Sequence, residues 1–144
     1  MGKTRTKLVE GSEIKDKKKA GGKKIKKKYL DLGVFYINAN LNNTIITFTN
    51  LQGDVLKWTS AGSVGFKNTK KATPYAAARA AENIINLIKE NFSVNDIKVI
   101  IKGIGPGRES ALRVIFNSDF NVISVEDRTP IPFGGPTPPK PRSV

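Results

Sequence analysis

Residues 97–116 read IKVIIKGIGPGRESALRVIF and indicate a strand, a glycine turn and a helix. The near-continuous apolar run 97–101 predicts a strand buried on both faces of a sheet. The amphipathic stretch 109–116 predicts a helix. A turn from strand into helix leaves backbone N–H groups free at the helix start, and such groups bind anions. We therefore predict an anion site at the turn, with phosphate as the ligand.

Upstream of this stretch, the chain is rich in β-branched and aromatic residues separated by short turns. Such residues favour strands, and short connections favour an antiparallel meander. Thr73 suits a helix cap and Pro74 suits the first helical position. Helically spaced apolar residues then continue to Glu90. We predict further strands at 34–37, 44–49, 55–59 and 121–125.

The element order β-β-β-α-β-α-β predicts an α/β fold, with a mixed five-stranded sheet and helices packed on it. A helix between the last two strands predicts that they are parallel, with a right-handed crossover. We place the core at residues 29–128. Residues 1–28 are expected to form a disordered basic arm, and residues 129–144 an extended proline-rich tail.

The 144-residue chain carries 25 basic and 12 acidic residues, a net charge of +13. The arm, with 12 basic and 3 acidic residues, accounts for +9 of it. Nucleic acids and anionic membranes are the usual partners of such chains, but no apolar run approaches the ~20 residues of a membrane span. Because the chain has no cysteine or histidine, it lacks the usual zinc ligands, a histidine base and a cysteine nucleophile. We expect a nucleic-acid partner, no membrane partner and no cofactor.

Several residues allow more than one interpretation. The glycines could serve turn geometry alone, and Phe66 could stack on a base or pack into the core. Trp58 alternates with core positions, which favours a buried or half-buried side chain over base stacking. A free-standing nucleotide binder would need G-x-G-x-x-G, whereas the turn reads G-x-G-x-G. A two-metal nuclease would need converging carboxylates, but the first strand carries Asn38 where an acid is expected.

Three motifs resemble those of one family: KATPYAA at 71–77, GPGRES at 105–110 and DRTPIP at 127–132. Across about residues 33–140 the chain resembles the universal small-subunit ribosomal protein S11 family. The resemblance implies a ribonuclease H-like fold without nuclease activity. It also implies a structural place on the platform of the small subunit, bound to ribosomal RNA near the messenger RNA exit region.

The resemblance further implies neighbours similar to small-subunit proteins seven, eighteen and twenty-one, with messenger RNA as an additional candidate partner. The tail departs from the family pattern because it retains only Lys140 and Arg142 as charged residues after Arg128. The chain has 19 lysines against 6 arginines and is rich in asparagine and isoleucine. This bias fits an A+T-rich genome and favours an organellar, mitochondrial ribosome over a bacterial one.

The residue patterns and the resemblance together give a set of candidate RNA-binding residues. Most are basic, and the others lie in turns or at predicted helix starts, where backbone and side-chain groups can meet phosphates. The set comprises Lys23, Lys24, Lys26, Lys27, Lys28, Asn42, Asn43, Thr44, Lys67, Lys70, Lys71, Thr73, Pro74, Lys102, Gly105, Pro106, Gly107, Arg108, Arg113, Arg128, Lys140 and Arg142.

Overall fold

The computed structural model describes residues 27–138 of the chain. The strands and helices of this part follow one another in nearly the predicted order. The elements are β1 (Lys28–Tyr29), β2 (Leu32–Ala39), β3 (Thr44–Thr49), β4 (Val55–Ser60), a 3₁₀ helix (Asn68–Ala72), α1 (Pro74–Asn91), β5 (Phe92–Ser93), β6 (Asp96–Lys102), α2 (Gly107–Phe116) and β7 (Asn121–Asp127).

The main sheet has five strands in the order β4-β3-β2-β6-β7. The first three strands of this sheet pair antiparallel as a meander. Strand β6 runs parallel to both β2 and β7, and α2 makes the crossover between β6 and β7. The predicted α/β fold, with a mixed five-stranded sheet and helices packed on it, is confirmed.

The structure also contains a small pairing that the sequence did not predict. Strand β1 runs parallel to β5, with Lys28 beside Phe92 and Tyr29 beside Ser93. Two-residue strands are too short to show an alternating pattern. Lys28, assigned to the arm from the sequence, thus already belongs to a strand. Residues 1–26 of the predicted arm and 139–144 of the predicted tail lie outside the described residues.

The core lies between one face of the sheet and the two helices. Phe35 and Ile37 of β2 point into it, and the Phe35 ring lies 4.9 Å from the Phe48 ring, centroid to centroid. On α1, Ala77 and Ala81 are fully buried, which lets the helix approach the sheet closely. The predicted apolar stripe of α1 therefore faces the sheet, and Thr73 caps the helix by accepting a hydrogen bond from the Ala76 N–H.

The opposite face of the sheet carries neither of the two helices, and Trp58 lies on it. Trp58 is 61% exposed, so the expectation of a buried or half-buried side chain is wrong. Its register partner is Thr47, whereas its neighbour Lys57 pairs with the core residue Phe48. Alternation along β4 turns Trp58 away from the core. Because β4 is an edge strand and both helices pack on the other face, no element in residues 27–138 covers the indole.

The turn between β6 and α2 lies directly on the end of β2. A Cβ atom on Gly103, which has φ +94°, would lie 2.2 Å from the Ala39 carbonyl oxygen. A Cβ atom on Gly105 would lie 2.3 Å from the Asn40 carbonyl oxygen. The Gly105 N–H also donates a hydrogen bond to the Ala39 carbonyl, over 2.9 Å. The two backbones therefore pack together without room for a side chain.

Gly107 makes a third close contact, at the first residue of α2. A Cβ atom on it would lie 2.4 Å from Thr44 Oγ1 and 2.6 Å from Ala77 Cβ. The start of α2 is thus wedged between the first residue of β3 and the first turn of α1. This wedge fixes the position of both helices on the sheet.

We expect Gly105→Ala to destabilise the protein, because the added methyl group would meet backbone atoms that cannot move aside. Overpacking of this kind costs about 1–3 kcal/mol. Urea unfolding followed by circular dichroism measures the change. Gly62→Ala is the matched control, since its nearest contact would be the flexible Lys71 side chain at 3.4 Å. Equal stability losses in the two variants would contradict the proposed close packing.

Candidate nucleic-acid interface

Three connections and the segment after β7 gather at one end of the main sheet, which we call the loop end. The strand register places them there: Asn38 lies beside Lys102, Ile45 opposite Ser60, and Ile101 beside Asp127. The strands therefore reach this end together. The loop end consists of residues 40–43, 61–73, 103–106 and 128–129, together with the adjoining strand end Lys102 and the first α1 residues, Pro74 and Tyr75.

Both helices begin at the loop end. Thr73 is the N-cap of α1, and Pro106 is the N-cap of α2. Each helix start carries a partial positive charge of roughly half an elementary charge, because the peptide dipoles add along the helix axis. Two such charges on one side of the molecule favour the binding of anions.

The 61–73 connection supplies the main cationic side chains of the loop end. Lys67 and Lys70 are exposed and Lys71 is half-buried, on or beside the short 3₁₀ helix, which buries none of its residues. Lys102 is exposed at the end of β6. The exposed Lys67, Lys70 and Lys102 can neutralise phosphates without first giving up a buried contact. The structure thus brings together four of the predicted basic residues.

Thr73 and Pro74 also lie at the loop end, and both are exposed. The Thr73 hydroxyl donates to the Lys70 carbonyl over 2.7 Å and accepts from the Ala76 N–H over 3.3 Å. It therefore links the lysine-bearing 3₁₀ helix to α1. The RNA contact predicted for Thr73 and Pro74 stays a prediction.

The turn between β2 and β3 presents one of its three predicted RNA-binding side chains fully to solvent. Asn42 is exposed, whereas Asn43 is half-buried and its Oδ1 accepts a hydrogen bond from the Thr44 N–H over 2.9 Å. Thr44 is 0% exposed, and its hydroxyl has no partner among the described residues. The expectation that Thr44 lies at an accessible hairpin tip is corrected, because Gly107 and α1 close over it.

The glycine turn serves mainly to hold the fold together. Gly105 and Gly107 are buried, and only Pro106 of this trio is exposed. The Arg108 N–H donates to the Gly105 carbonyl over 3.2 Å. Neither residue has a positive φ, so close packing against Asn40, Thr44 and Ala77, and not the turn geometry, requires glycine at these two positions. The phosphate contact predicted at the turn stays a prediction.

Arg108 fastens the end of β7 to the glycine turn. Its guanidinium lies 2.6 Å from Asp127 Oδ2 and 3.0 Å from the Gly103 carbonyl oxygen. Asp127 in turn accepts hydrogen bonds from the Thr129 N–H, over 3.0 Å, and from the Thr129 hydroxyl, over 2.6 Å. We call this arrangement the Arg108 clasp. In the clasp, the Arg108 guanidinium is bound to other groups of the protein, although the sequence suggested a free cation beside the turn.

The clasp changes the acidity of its carboxylate. The Thr129 hydroxyl, followed by Arg108, hydrogen-bonds to the charged form and lowers the pKa of Asp127 from 3.8 to about 2. Glu126, the preceding residue, forms ion pairs with Lys98 and Arg128 instead. The two adjacent acids therefore point to different partners and do not converge.

The remaining predicted residues do not all lie at the loop end. Arg128 does, and its guanidinium is 2.7 Å from Glu126. Arg113 lies in the last turn of α2, away from the helix start. Lys27 and Lys28 precede β2 at the opposite end of the sheet. Outside the described residues lie Lys23, Lys24, Lys26, Lys140 and Arg142.

Tyr75 is an exposed aromatic residue at the loop end that the predicted set did not include. It is 62% exposed, and the Phe66 ring meets it edge-on with the centroids 5.8 Å apart. The Arg79 guanidinium lies over its ring, 5.8 Å from the centroid. Tyr75 lies two positions before Ala77, about 200° around the helix from the apolar stripe. That spacing could have revealed its exposure.

Asp127→Asn should reduce stability most at neutral pH and least in acid. The pKa of Asp127 is lower in the folded protein, so its contribution is complete above about 3.8 and disappears as the pH falls through about 2. The melting temperatures of wild type and variant should therefore converge between pH 5 and pH 2. Glu90→Gln, which alters an exposed carboxylate on α1, is the control. A gap that does not change with pH would contradict the clasp.

Among residues 27–138, neither helix is long and apolar enough to cross a bilayer. The same residues contain no cluster of three or more acidic, histidine or cysteine side chains that could hold a metal ion. The chemistry on offer at the loop end is therefore that of lysine ammonium groups, helix starts and exposed amide and aromatic side chains.

The comparison with protein families gives a match to Ribosomal protein S11 over residues 33–143. This range includes all of the main sheet except Leu32, both helices and the whole loop end. The match confirms the resemblance carried by the three sequence motifs. The match also argues against the alternative that the protein is a nuclease, since the family is a structural one. The chain belongs to the ribosomal protein S11 family, whose members are non-enzymatic structural proteins of the small ribosomal subunit.

Proposed function

We propose that the protein binds ribosomal RNA in the small subunit through its loop end. The observation that carries the proposal is the convergence of exposed Lys67, Lys70 and Lys102 with the starts of both helices. Family membership supplies the ribosomal setting. RNA backbones present closely spaced phosphates, so several weak cationic contacts on one surface add up to stable binding.

The contacts divide by chemistry. The lysines neutralise phosphates and fix the position of the RNA, without reading its sequence. The exposed Asn42 amide and the exposed Tyr75 ring can meet a 2′-hydroxyl or a base in an unpaired segment. The Arg108 clasp orients the chain after β7 and leaves the phosphate contacts to the lysines.

The chain ends extend this surface in our proposal. Residues 1–28 carry a charge of +9, which suits an arm that lies along RNA phosphates. In the tail, residues 130–138 are mainly exposed, and Phe133 is 94% exposed. Prolines restrict the tail to extended conformations, so it loses little entropy when it docks. We propose that it docks by shape and by Phe133.

We further propose a place on the platform near the messenger RNA exit region. The resemblance of the motifs supports this place, and with it neighbours similar to small-subunit proteins seven, eighteen and twenty-one. The lysine-rich, arginine-poor composition supports a mitochondrial ribosome. Cryo-electron microscopy of the ribosome that contains the chain tests both parts of this proposal.

The double variant Lys67→Gln, Lys70→Gln should weaken binding to small-subunit ribosomal RNA and reduce its dependence on salt. Each lost phosphate contact lowers the log–log salt slope by about 0.7 to 0.9, so we expect a reduction of about 1.4 to 1.8. Filter binding over a range of potassium concentrations measures the slope.

The matched control is Lys57→Gln, Lys89→Gln, which removes the same charge away from the loop end. Lys57 lies on the edge strand β4, and Lys89 lies in the last turn of α1. Equal slopes for the two double variants would mean that binding responds to total charge only, and the loop-end site would be rejected.

A further inference from the structure

The face of the sheet that carries neither helix presents an aligned row of side chains, one from each strand. We call this surface the open face. Strand register places Trp58 of β4 beside Thr47, Thr47 beside Tyr36, and Tyr36 beside Ile100 of β6. Glu126 of β7 completes the row. Both α1 and α2 pack on the opposite face, so within residues 27–138 the row has no helical cover.

Two aromatic side chains stand out in this row. Trp58 is 61% exposed on the edge strand, and Tyr36 is half-buried on β2, the central strand of the sheet. One strand lies between them, so their backbones are about 10 Å apart at the usual strand spacing of 4.7–4.9 Å. This spacing suits two separate flat groups, each stacked on one ring. The intervening Thr47 is small enough to leave room for them.

The charges on the open face favour a polyanion. Period-two alternation along β6 places Lys98 and Lys102 on the same face as Ile100. Arg128 adjoins them, since it shares the carboxylate of Glu126 with Lys98. The same alternation places Asp96 on this face, so three cations against two acids, Asp96 and Glu126, leave a net charge of +1. Lys102 also lies at the loop end, so the open face continues the proposed phosphate-binding surface.

A surface that binds a protein would be expected to present a contiguous apolar patch, and the open face does not. Here the largest apolar side chain, Trp58, is separated from Tyr36 by a threonine, and Ile100 is only 2% exposed. Aromatic rings on an open sheet, flanked by lysines, are the arrangement that binds unstacked bases of single-stranded RNA.

We propose that the open face binds a single-stranded segment of ribosomal RNA, with one base stacked on Trp58 and another on Tyr36. The proposal rests on the RNA-binding function of the loop end and adds to it a second contact of a different kind. The loop end neutralises phosphates of any RNA, whereas the open face requires bases that are free to stack.

The chain contains a single tryptophan, so its fluorescence reports directly on the open face. We would titrate the full-length protein with oligouridylate and, separately, with a short RNA duplex. Stacking should quench Trp58 emission with oligouridylate, whereas the duplex should bind through phosphate contacts without quenching. Binding of both RNAs without quenching by either would overturn the open-face proposal but leave the loop-end function intact. Absence of any RNA binding would instead reject the loop-end function, and with it the present proposal.

Variants test the same contact by fluorescence anisotropy of labelled oligouridylate. Trp58→Ala should weaken binding about tenfold, or about 1.4 kcal/mol, while Trp58→Phe retains a ring and should stay within about twofold of wild type. Val55→Ala is the matched control, because Val55 is 60% exposed on the same strand. Equal losses in Trp58→Ala and Val55→Ala would overturn the proposal. So would a change in Trp58 emission caused by small-subunit proteins but not by RNA, which would assign the open face to a protein partner.

Discussion

Close contact between two backbones, Gly103 and Gly105 on one side and Ala39 and Asn40 on the other, positions the rest of the structure. There is no space for a side chain between them, since added Cβ atoms would lie 2.2–2.3 Å from carbonyl oxygens. The contact places the start of α2 against the end of β2, and Gly107 then wedges it between β3 and α1. Because both helix starts are held at one end of the sheet, the loops around them form a single surface.

Because of this constraint, the strongest sequence motif makes contacts within the protein, and exposed lysines lie in the loops around it. The glycines of GPGRES make close internal contacts, and its arginine holds Asp127 and the Gly103 carbonyl. A group engaged in this way has less to offer an external phosphate than an exposed lysine has. Among residues 27–138, the loop-end cations free to meet RNA therefore lie mainly in the 61–73 connection, where the 3₁₀ helix buries none of its residues. The motif therefore holds the fold together, and the lysines provide the surface that we propose contacts RNA.

The two proposed surfaces meet at Lys102, and they differ in chemistry. The loop end combines lysines with helix starts, which attract phosphates regardless of base sequence. The open face combines aromatic rings with lysines, which suits unpaired bases. Packing both helices on one face of the sheet produces this difference, because it leaves the other face with its rings in solvent. A single RNA segment that passes from paired to unpaired structure could contact both surfaces.

Local patterns in the sequence were enough to predict the five strands of the main sheet, both helices, the Thr73 cap and the parallel crossover. Alternation, helical spacing and capping act over a few residues, so they can be recognised without the rest of the chain. Local patterns could not predict the burial of Thr44, the exposure of Trp58 or the ion pair of Arg108. Each of these depends on contacts with distant residues: Gly107 covers Thr44, Asp127 holds Arg108, and the placement of both helices leaves Trp58 uncovered. Periodicity separates the two sides of a strand, but only packing shows which side is covered.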